Sequence, residues 1–396
     1  MSDLLEVGMN QLSTAEASAR APQRFTRTQL HGPVIVWNVC VHCNMTCPHC
    51  YASAGSRPSP KDLTTAEACD LLDQMAASGV TIVIFSGGEP LLRPDLFELL
   101  AHARSVGIAP QLSSNGTLID EAMANRLAEV GVPYVGISVD GVREFNDPYR
   151  GMEGGTEAAL AGLRFAKAAG MRTGLRMTLT GRNIDQLDAV LDTAREVGAS
   201  RFYASHLVYS GRGRHLVDED LPRNRARSAV VQLFEAAEKL LERGHTLRVV
   251  TGSNDSDGPL LLRWIEERYG AAAAAPVEEL LRERGGNSAG ERVLNVDHLG
   301  QVHPDQFWRG AVLGDVRRER FETILAHPLR QQLRERAKHL TGRCGQCNYV
   351  ELCRGSHRER AVTCHGDMWA PDPACLMTDT EIGFDANPSS KAKELE

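Results

Sequence analysis

Residues 33–50 read PVIVWNVCVHCNMTCPHC, and residues 81–90 read TIVIFSGGEP. Each stretch joins a short apolar run to polar, chemistry-bearing residues at its carboxyl end. Pro33–Val39 and Thr81–Phe85 are short, rich in Val and Ile, and read as buried strands. Between them, Thr64-x-x-Glu67 has capping-box spacing and opens a helix to about Ser78, with Leu71, Leu72 and Met75 as its apolar stripe.

The alternation continues along the chain. Strands are predicted near Pro110–Ser113, Tyr134–Val139, Arg172–Leu179 and Arg201–Val208. Helices are predicted over Pro94–Val106, Asp120–Val130, Thr156–Ala169 and Ile184–Val197. Six strands alternating with helices imply a parallel α/β sheet with right-handed crossovers. No G-x-G-x-x-G follows the first strand, so a partial (β/α)6 TIM-like barrel fits better than a dinucleotide-binding fold. Residues 1–30 read as a flexible N-terminal arm and 31–224 as the barrel. Residues 225–292 read as a bridging segment, with an amphipathic helix over Arg225–Arg243 and a linker or substrate loop over 251–290. Residues 293–384 form a small C-terminal module opened by short strands Val293–Val296 and Gln301–His303 about a bend at Leu299-Gly300, and 385–396 read as a disordered tail.

Composition narrows the function. The 396 residues are 42% hydrophobic and 24% charged, which excludes disorder throughout. A net charge of −7 argues against a nucleic-acid partner. No apolar run reaches the roughly 20 residues that span a bilayer, and Met1–Arg20 has no apolar leader core, so no membrane partner and a cytoplasmic location are expected.

Nine of the ten cysteines fall in two groups. In a reducing compartment such clusters read as metal binding rather than disulfides. Cys43-x3-Cys47-x2-Cys50 offers three soft thiolates from one loop, enough for three irons of a 4Fe–4S cubane with the fourth iron open. Zinc is the alternative, kept open by His42 and His49. Only three residues separate Cys40-x2-Cys43 from Cys47-x2-Cys50, which is tight for an ordinary zinc ribbon. Cys40 reads as a small buried residue at the strand end and Cys69 as helix core.

Cys43-x3-Cys47-x2-Cys50 after a first strand, with Gly87-Gly88-Glu89-Pro90 after the second, resembles the radical S-adenosylmethionine (SAM) superfamily. The resemblance implies SAM and a 4Fe–4S cluster held by those three cysteines, with Gly87, Gly88, Glu89 and Pro90 at the SAM amino group. Glycines admit close backbone approach, and Glu89 offers an anionic acceptor to an ammonium. Ser113-Ser114-Asn115-Gly116 and Ser138-Val139-Asp140-Gly141 resemble the next SAM-contacting segments, which nominates Ser113, Asn115, Ser138 and Asp140. Arg176 stands where relatives place a residue near the SAM carboxylate. These positions end successive strands, where barrels build active sites.

Cys344-x2-Cys347-x5-Cys353 with Cys375 resembles the SPASM or twitch auxiliary-cluster modules of that superfamily. It implies that 293–384 is an iron–sulfur auxiliary domain with a second 4Fe–4S cluster, with a structural zinc knuckle as the alternative. Cys364 lies outside the pattern. His303-Pro304-Asp305 stands where fuller modules carry a further cysteine, so one auxiliary cluster is implied.

Phe202–Gly213, Gly285–Ser288, Val302–Trp308, Asp372–Cys375 and Glu381–Gly383 resemble segments of the tetrapyrrole-modifying branch, which includes haem d1 biosynthesis. The resemblance spans roughly 31–384. It implies a tetrapyrrole partner and removal of propionates from 12,18-didecarboxysirohaem through a 5′-deoxyadenosyl radical, fed by an external electron donor of flavodoxin or ferredoxin type. Siblings in the alternative haem pathway modify other side chains. His206 and His303 are the catalytic candidates, and Arg212, Arg214, Arg309, Arg317 and Arg318 the candidate carboxylate partners. Asn38-Val39-Cys40-Val41-His42 departs from the usual lead-in to the first cluster. Two other readings are a radical SAM peptide maturase, disfavoured because 1–30 is too short for a folded recognition domain, and a non-enzymatic metal scaffold, which needs no Gly-Gly-Glu-Pro motif.

Overall fold

The computed structural model describes residues 1–11, 13–16 and 32–385. Its frame is one ten-stranded sheet. Strands β1 (Val34–Asn38), β2 (Ile82–Ser86), β3 (Ala109–Ser114), β4 (Tyr134–Ser138), β5 (Arg172–Leu179) and β6 (Arg201–His206) each run parallel to the next. This is the predicted partial barrel, and it is longer than predicted. β7 (Arg248–Gly252) adds a parallel strand beyond β6, and β8 (Val293–Val296) pairs parallel with the other edge of β1. β9 (Gln301–His303) and β10 (Gly314–Asp315) continue antiparallel beyond β8, so the C-terminal region shares the barrel's sheet.

Crossover helices follow the strands: α1 (Ser2–Gly8) precedes β1, then come α2 (Thr65–Ala77), α3 (Leu96–Ser105), α4 (Glu121–Glu129), α5 (Arg143–Arg150), α6 (Gly155–Ala168), α7 (Leu187–Glu196) and α8 (Arg223–Glu242). The Thr64 capping box forms as read: its hydroxyl accepts from the Glu67 amide, and the Glu67 carboxylate accepts from the Thr64 amide at 2.7 Å. Strand side chains of one parity, including Ile35, Trp37, Val83, Phe85, Val135 and Ile137, sit in the main core beneath the helices. The other parity faces the concave side. There Val34, Val36 and Ile84, with Ile82 and Val293, form a separate apolar cluster.

Two sequence expectations are corrected. The loose arm over 1–30 begins instead with α1, whose Leu4, Leu5 and Val7 are buried. These residues lie on one helical face, and Ser2 ties the helix to β7 by accepting from the Val249 amide at 2.9 Å. The rest of that arm, residues 12 and 17–31, lies outside the described residues, as does the tail from 386. The stretch 251–290, read as a loop, holds helices α9 (Asp257–Tyr269) and α10 (Ala271–Arg284), separated by Gly270 at φ +86°. Its alanine run is a strong helix former, and only residues 253–256 and 285–290 match the loop reading.

The C-terminal region is built of short helices, and it buries charged side chains beside apolar ones such as Phe321, Ile324, Leu376 and Met377. Arg336, Arg354, Arg358 and Arg360 are among the largest fully buried side chains. Arg360 makes two bonds to Asp372, at 2.8 and 2.7 Å, and donates to the Leu207 carbonyl at 2.9 Å, tying this region to the end of β6. Among the described residues, no helix is long and apolar enough to cross a membrane.

Candidate active site

A cavity of about 410 Å³ fills the concave side of the sheet. Cys43, Cys47 and Cys50 line it, on the loop that follows β1. So do Gly87, Gly88, Ser113, Asn115, Ser138 and Arg176, from the ends of β2 to β5, and His206 from β6. The strand-end residues nominated from sequence therefore converge, with four exceptions: Glu89, Pro90, Asp140 and His303.

The cysteine loop is held mainly by backbone. The Cys43 amide donates to Gly55 at 2.8 Å, and Arg212 donates to the Cys47 carbonyl at 2.8 Å and the Ala54 carbonyl at 2.6 Å. Arg212, nominated for substrate, is thus a clamp on this loop. The Gly-Gly-Glu-Pro turn is pressed against the same loop. Gly88 donates to the Cys40 carbonyl at 2.8 Å, and Glu89 to His42 at 2.7 Å. A Cβ on Gly88 would lie 2.1 Å from the His42 carbonyl oxygen, and Gly87 sits at φ +143° with its hypothetical Cβ 2.4 Å from Cys40 O. The glycines are needed for loop-on-loop approach as well as for the cavity wall.

Glu89 faces away from the cavity. Its carboxylate accepts from the Asn115 amide at 2.8 Å, Ser114 Oγ at 2.9 Å and the Leu91 amide at 3.2 Å. Burial pushes its pKa up to about 7 against those donors. It shapes the Ser114–Gly116 turn, and Pro90 follows it out of the cavity wall. Asp140 is likewise a support: it meets Arg150 at 2.9 Å, His49 at 3.2 Å and the Thr178 amide at 2.8 Å. Burial opposes its charge, yet His49 and Arg150 hold its pKa down at about 2. The buried Arg150 reaches the cavity wall beside the cysteines, so Asp140 positions a cation there.

Arg176 donates to Ser113 Oγ at 2.6 Å across Gly136, where a Cβ would collide with the guanidinium. Asn115 donates to Asn44 Oδ1 at 2.7 Å. His206 is buried, and its Nε2 meets both oxygens of Asp257 on α9, at 3.1 and 3.2 Å. His303 is separate: its Nδ1 bonds the Ala311 carbonyl at 2.9 Å, its Nε2 lies 3.5 Å from Asp297, and it lines no cavity described here. Arg309, Arg317 and Arg318 lie outside the main cavity, near or paired with Asp297, Glu67 and Asp315, and Arg214 is an exposed residue outside it.

Sequence reasoning missed the wall's electrostatics. Among the described residues, five arginines line the cavity, Arg150, Arg172, Arg176, Arg201 and Arg212, and no Asp or Glu does. Arg172 and Arg201 enter from the amino ends of β5 and β6. The signal was parity, because Arg172, Gly174 and Arg176 share one face of a strand whose other face is apolar. Asp257 was hidden in a segment read as loop.

The thiols suit iron–sulfur ligation. Burial pushes Cys43 up to about 11, so a thiolate there needs a metal to displace its proton. Cys344, Cys347, Cys353 and Cys375 ring a second, small cavity of about 20 Å³, and Cys364 stands exposed outside it. Burial raises all four ring thiols, Cys344 to about 11. Among the described residues, no three His, Cys, Asp or Glu side chains close on one point as a mononuclear ion requires. Four soft thiol donors about one small cavity are a donor set that an iron–sulfur cluster takes.

Residues 37–194 match the model of the radical SAM superfamily. The chain belongs to that superfamily and is a radical SAM enzyme, with SAM and a 4Fe–4S cluster as its cofactors. Its relatives include the pre-heme d1 synthase of Dinoroseobacter shibae, 42% identical over 354 residues that cover 89% of this chain and 88% of that protein. The Fe-coproporphyrin III synthase of Methanosarcina barkeri is also 42% identical, over 359 residues that cover 89% of this chain and 90% of that protein. Streptococcus suis SuiB bound to S-adenosylmethionine shares the fold, with a TM-score of 0.67 at 15% identity over 87% of this chain and 77% of that one.

Proposed function

We propose that the enzyme removes propionate side chains from 12,18-didecarboxysirohaem in haem d1 biosynthesis. The observation that carries this reading is a cavity wall that, among the described residues, holds no carboxylate and presents Arg172 and Arg201 without an ion-pair partner, in a chain of net charge −7. Such a wall selects a ligand with several anionic groups. The kinship with enzymes named for pre-heme d1 and Fe-coproporphyrin III supports a tetrapyrrole as that ligand.

In this reading Cys43, Cys47 and Cys50 hold the catalytic 4Fe–4S cluster. Gly87, Gly88, Ser113, Asn115, Ser138 and Arg176 border SAM, with Arg176 beside its carboxylate. Cluster and SAM together supply, when bound, a carbon radical able to take hydrogen from an unactivated C–H bond. Glu89 and Asp140 support the wall from behind. Cys344, Cys347, Cys353 and Cys375 hold a second 4Fe–4S cluster. His206, oriented by Asp257, holds or moves a proton at the cavity face, and a flavodoxin- or ferredoxin-type protein supplies the electron.

The Methanosarcina relative, at the same 42% identity, favours a second reading in which the product is Fe-coproporphyrin III. An anaerobic assay with SAM, reductant and didecarboxysirohaem, followed by mass spectrometry, separates the two. Loss of two propionates supports the first reading and formation of Fe-coproporphyrin III the second. A substrate left intact while SAM is cleaved refutes both.

A further inference from the structure

The inside of the barrel has two chemically opposite walls. One is apolar: Val34, Val36, Ile82 and Ile84, from β1 and β2, line the cavity and belong to an apolar cluster apart from the main core. Facing them across the same cavity, the amino-terminal halves of β4 to β6 present Tyr134, Arg172, Arg201 and Tyr203. Arg201 lies over the Tyr134 ring at 5.6 Å, and the Tyr134 hydroxyl occupies the space left by Gly174. Among the described residues, neither Arg172 nor Arg201 has a carboxylate partner, whereas Arg150 is paired with Asp140 and Arg212 gives two of its nitrogens to backbone carbonyls.

Among the described residues no Asp or Glu lines this cavity, so Arg201 on its wall and the exposed Arg172 at its amino-terminal mouth form, with the apolar plate, a site for a flat ligand that is apolar on its face and carboxylated at its edge. We infer that Arg172 and Arg201 grip peripheral carboxylates of the tetrapyrrole at the amino-terminal end of the barrel, with the macrocycle against the Val36–Ile84 plate. This rests on the substrate class proposed above and adds the orientation. The gripped carboxylates are those farthest from Cys43, Cys47 and Cys50, so the opposite edge meets the reacting end. Arg172 and Arg201 are specificity determinants; nothing here makes them reacting groups.

The test is an anaerobic absorbance titration of the reconstituted holoenzyme with 12,18-didecarboxysirohaem and, separately, with its carboxyl-methylated derivative. Arg172→Gln and Arg201→Gln should each raise Kd about tenfold or more, as loss of a charged hydrogen bond implies. Arg201→Lys should recover part of this. Methylation should weaken binding to the wild type and make little further difference to the double variant. Unchanged iron content and SAM affinity would show that the variants are folded. If the wild type binds the tetrapyrrole and both Gln variants bind it equally well, this inference is overturned and the substrate reading survives. If the wild type binds no tetrapyrrole, the substrate reading falls and takes the inference with it.

Discussion

Gly88→Ala tests what the Gly-Gly-Glu-Pro turn does. The added methyl carbon would stand 2.1 Å from the His42 carbonyl oxygen and 2.5 Å from its carbon, both rigid backbone. The two loops must part. Overpacking of this kind costs about 1–3 kcal/mol. Separation also strains the 2.8 Å bond from Gly88 to Cys40 and the 2.7 Å bond from Glu89 to His42, at about 1 kcal/mol each. The expected destabilisation is therefore about 3–5 kcal/mol, focused on the loop that carries Cys43. Urea denaturation of the apoprotein should show a lower midpoint. Reconstitution should give less iron and sulfide at the first cluster, with SAM affinity falling in proportion. A variant with the wild-type midpoint and full iron, yet without SAM affinity, would refute this reasoning and leave the glycine a purely ligand-facing role.

Asp140→Asn should cost about 3–5 kcal/mol, because the buried Arg150 loses its carboxylate. Asp140's folded pKa of about 2 lies below its ordinary 3.8, so its stabilising effect is full above about pH 4 and is lost as pH falls through about 2. The difference between wild type and variant in denaturation midpoint should thus be flat across neutral pH and shrink only in strong acid. Cys43→Ala should abolish SAM cleavage, measured as 5′-deoxyadenosine; normal production would remove Cys43 from the cluster. The wild type should bind about eight irons per chain. Cys375→Ala should lose up to about half of them and Cys364→Ala none, an outcome that equal loss from both would contradict.

Much of this was legible without coordinates. Alternating strands and helices specified the barrel because period-two and period-3.6 patterns leave visible traces in sequence. The cysteine groups were legible because their ligands are close in sequence, and Cys375 because of its family-like context. The failures have a common physical cause. α1 was too short to show a convincing period, and in α10 the stripe of Ala273, Ala274, Val277, Leu280 and Leu281 begins in an alanine run and is interrupted by Pro276, which masks its period. Asp140 and Glu89 carried the right motifs, but which way a carboxylate turns depends on donors far away in sequence, such as Thr178 for Asp140 and Asn115 for Glu89. His303 sat in a family-like segment, yet the hairpin turns it towards Ala311 and Asp297.

By itself the sequence determined the parallel sheet and the loop that bears three cysteines, because each is written in local spacing; Cys375, distant from Cys344, Cys347 and Cys353 in sequence, was nominated by resemblance alone. Only the tertiary structure decided what fills the barrel. Arg172 and Arg201 entered the cavity, while Arg309 and Arg317 found Asp297 and Glu67 elsewhere. A charged side chain's role depends on whether folding brings it a counter-charge, and that partner can come from any part of the chain.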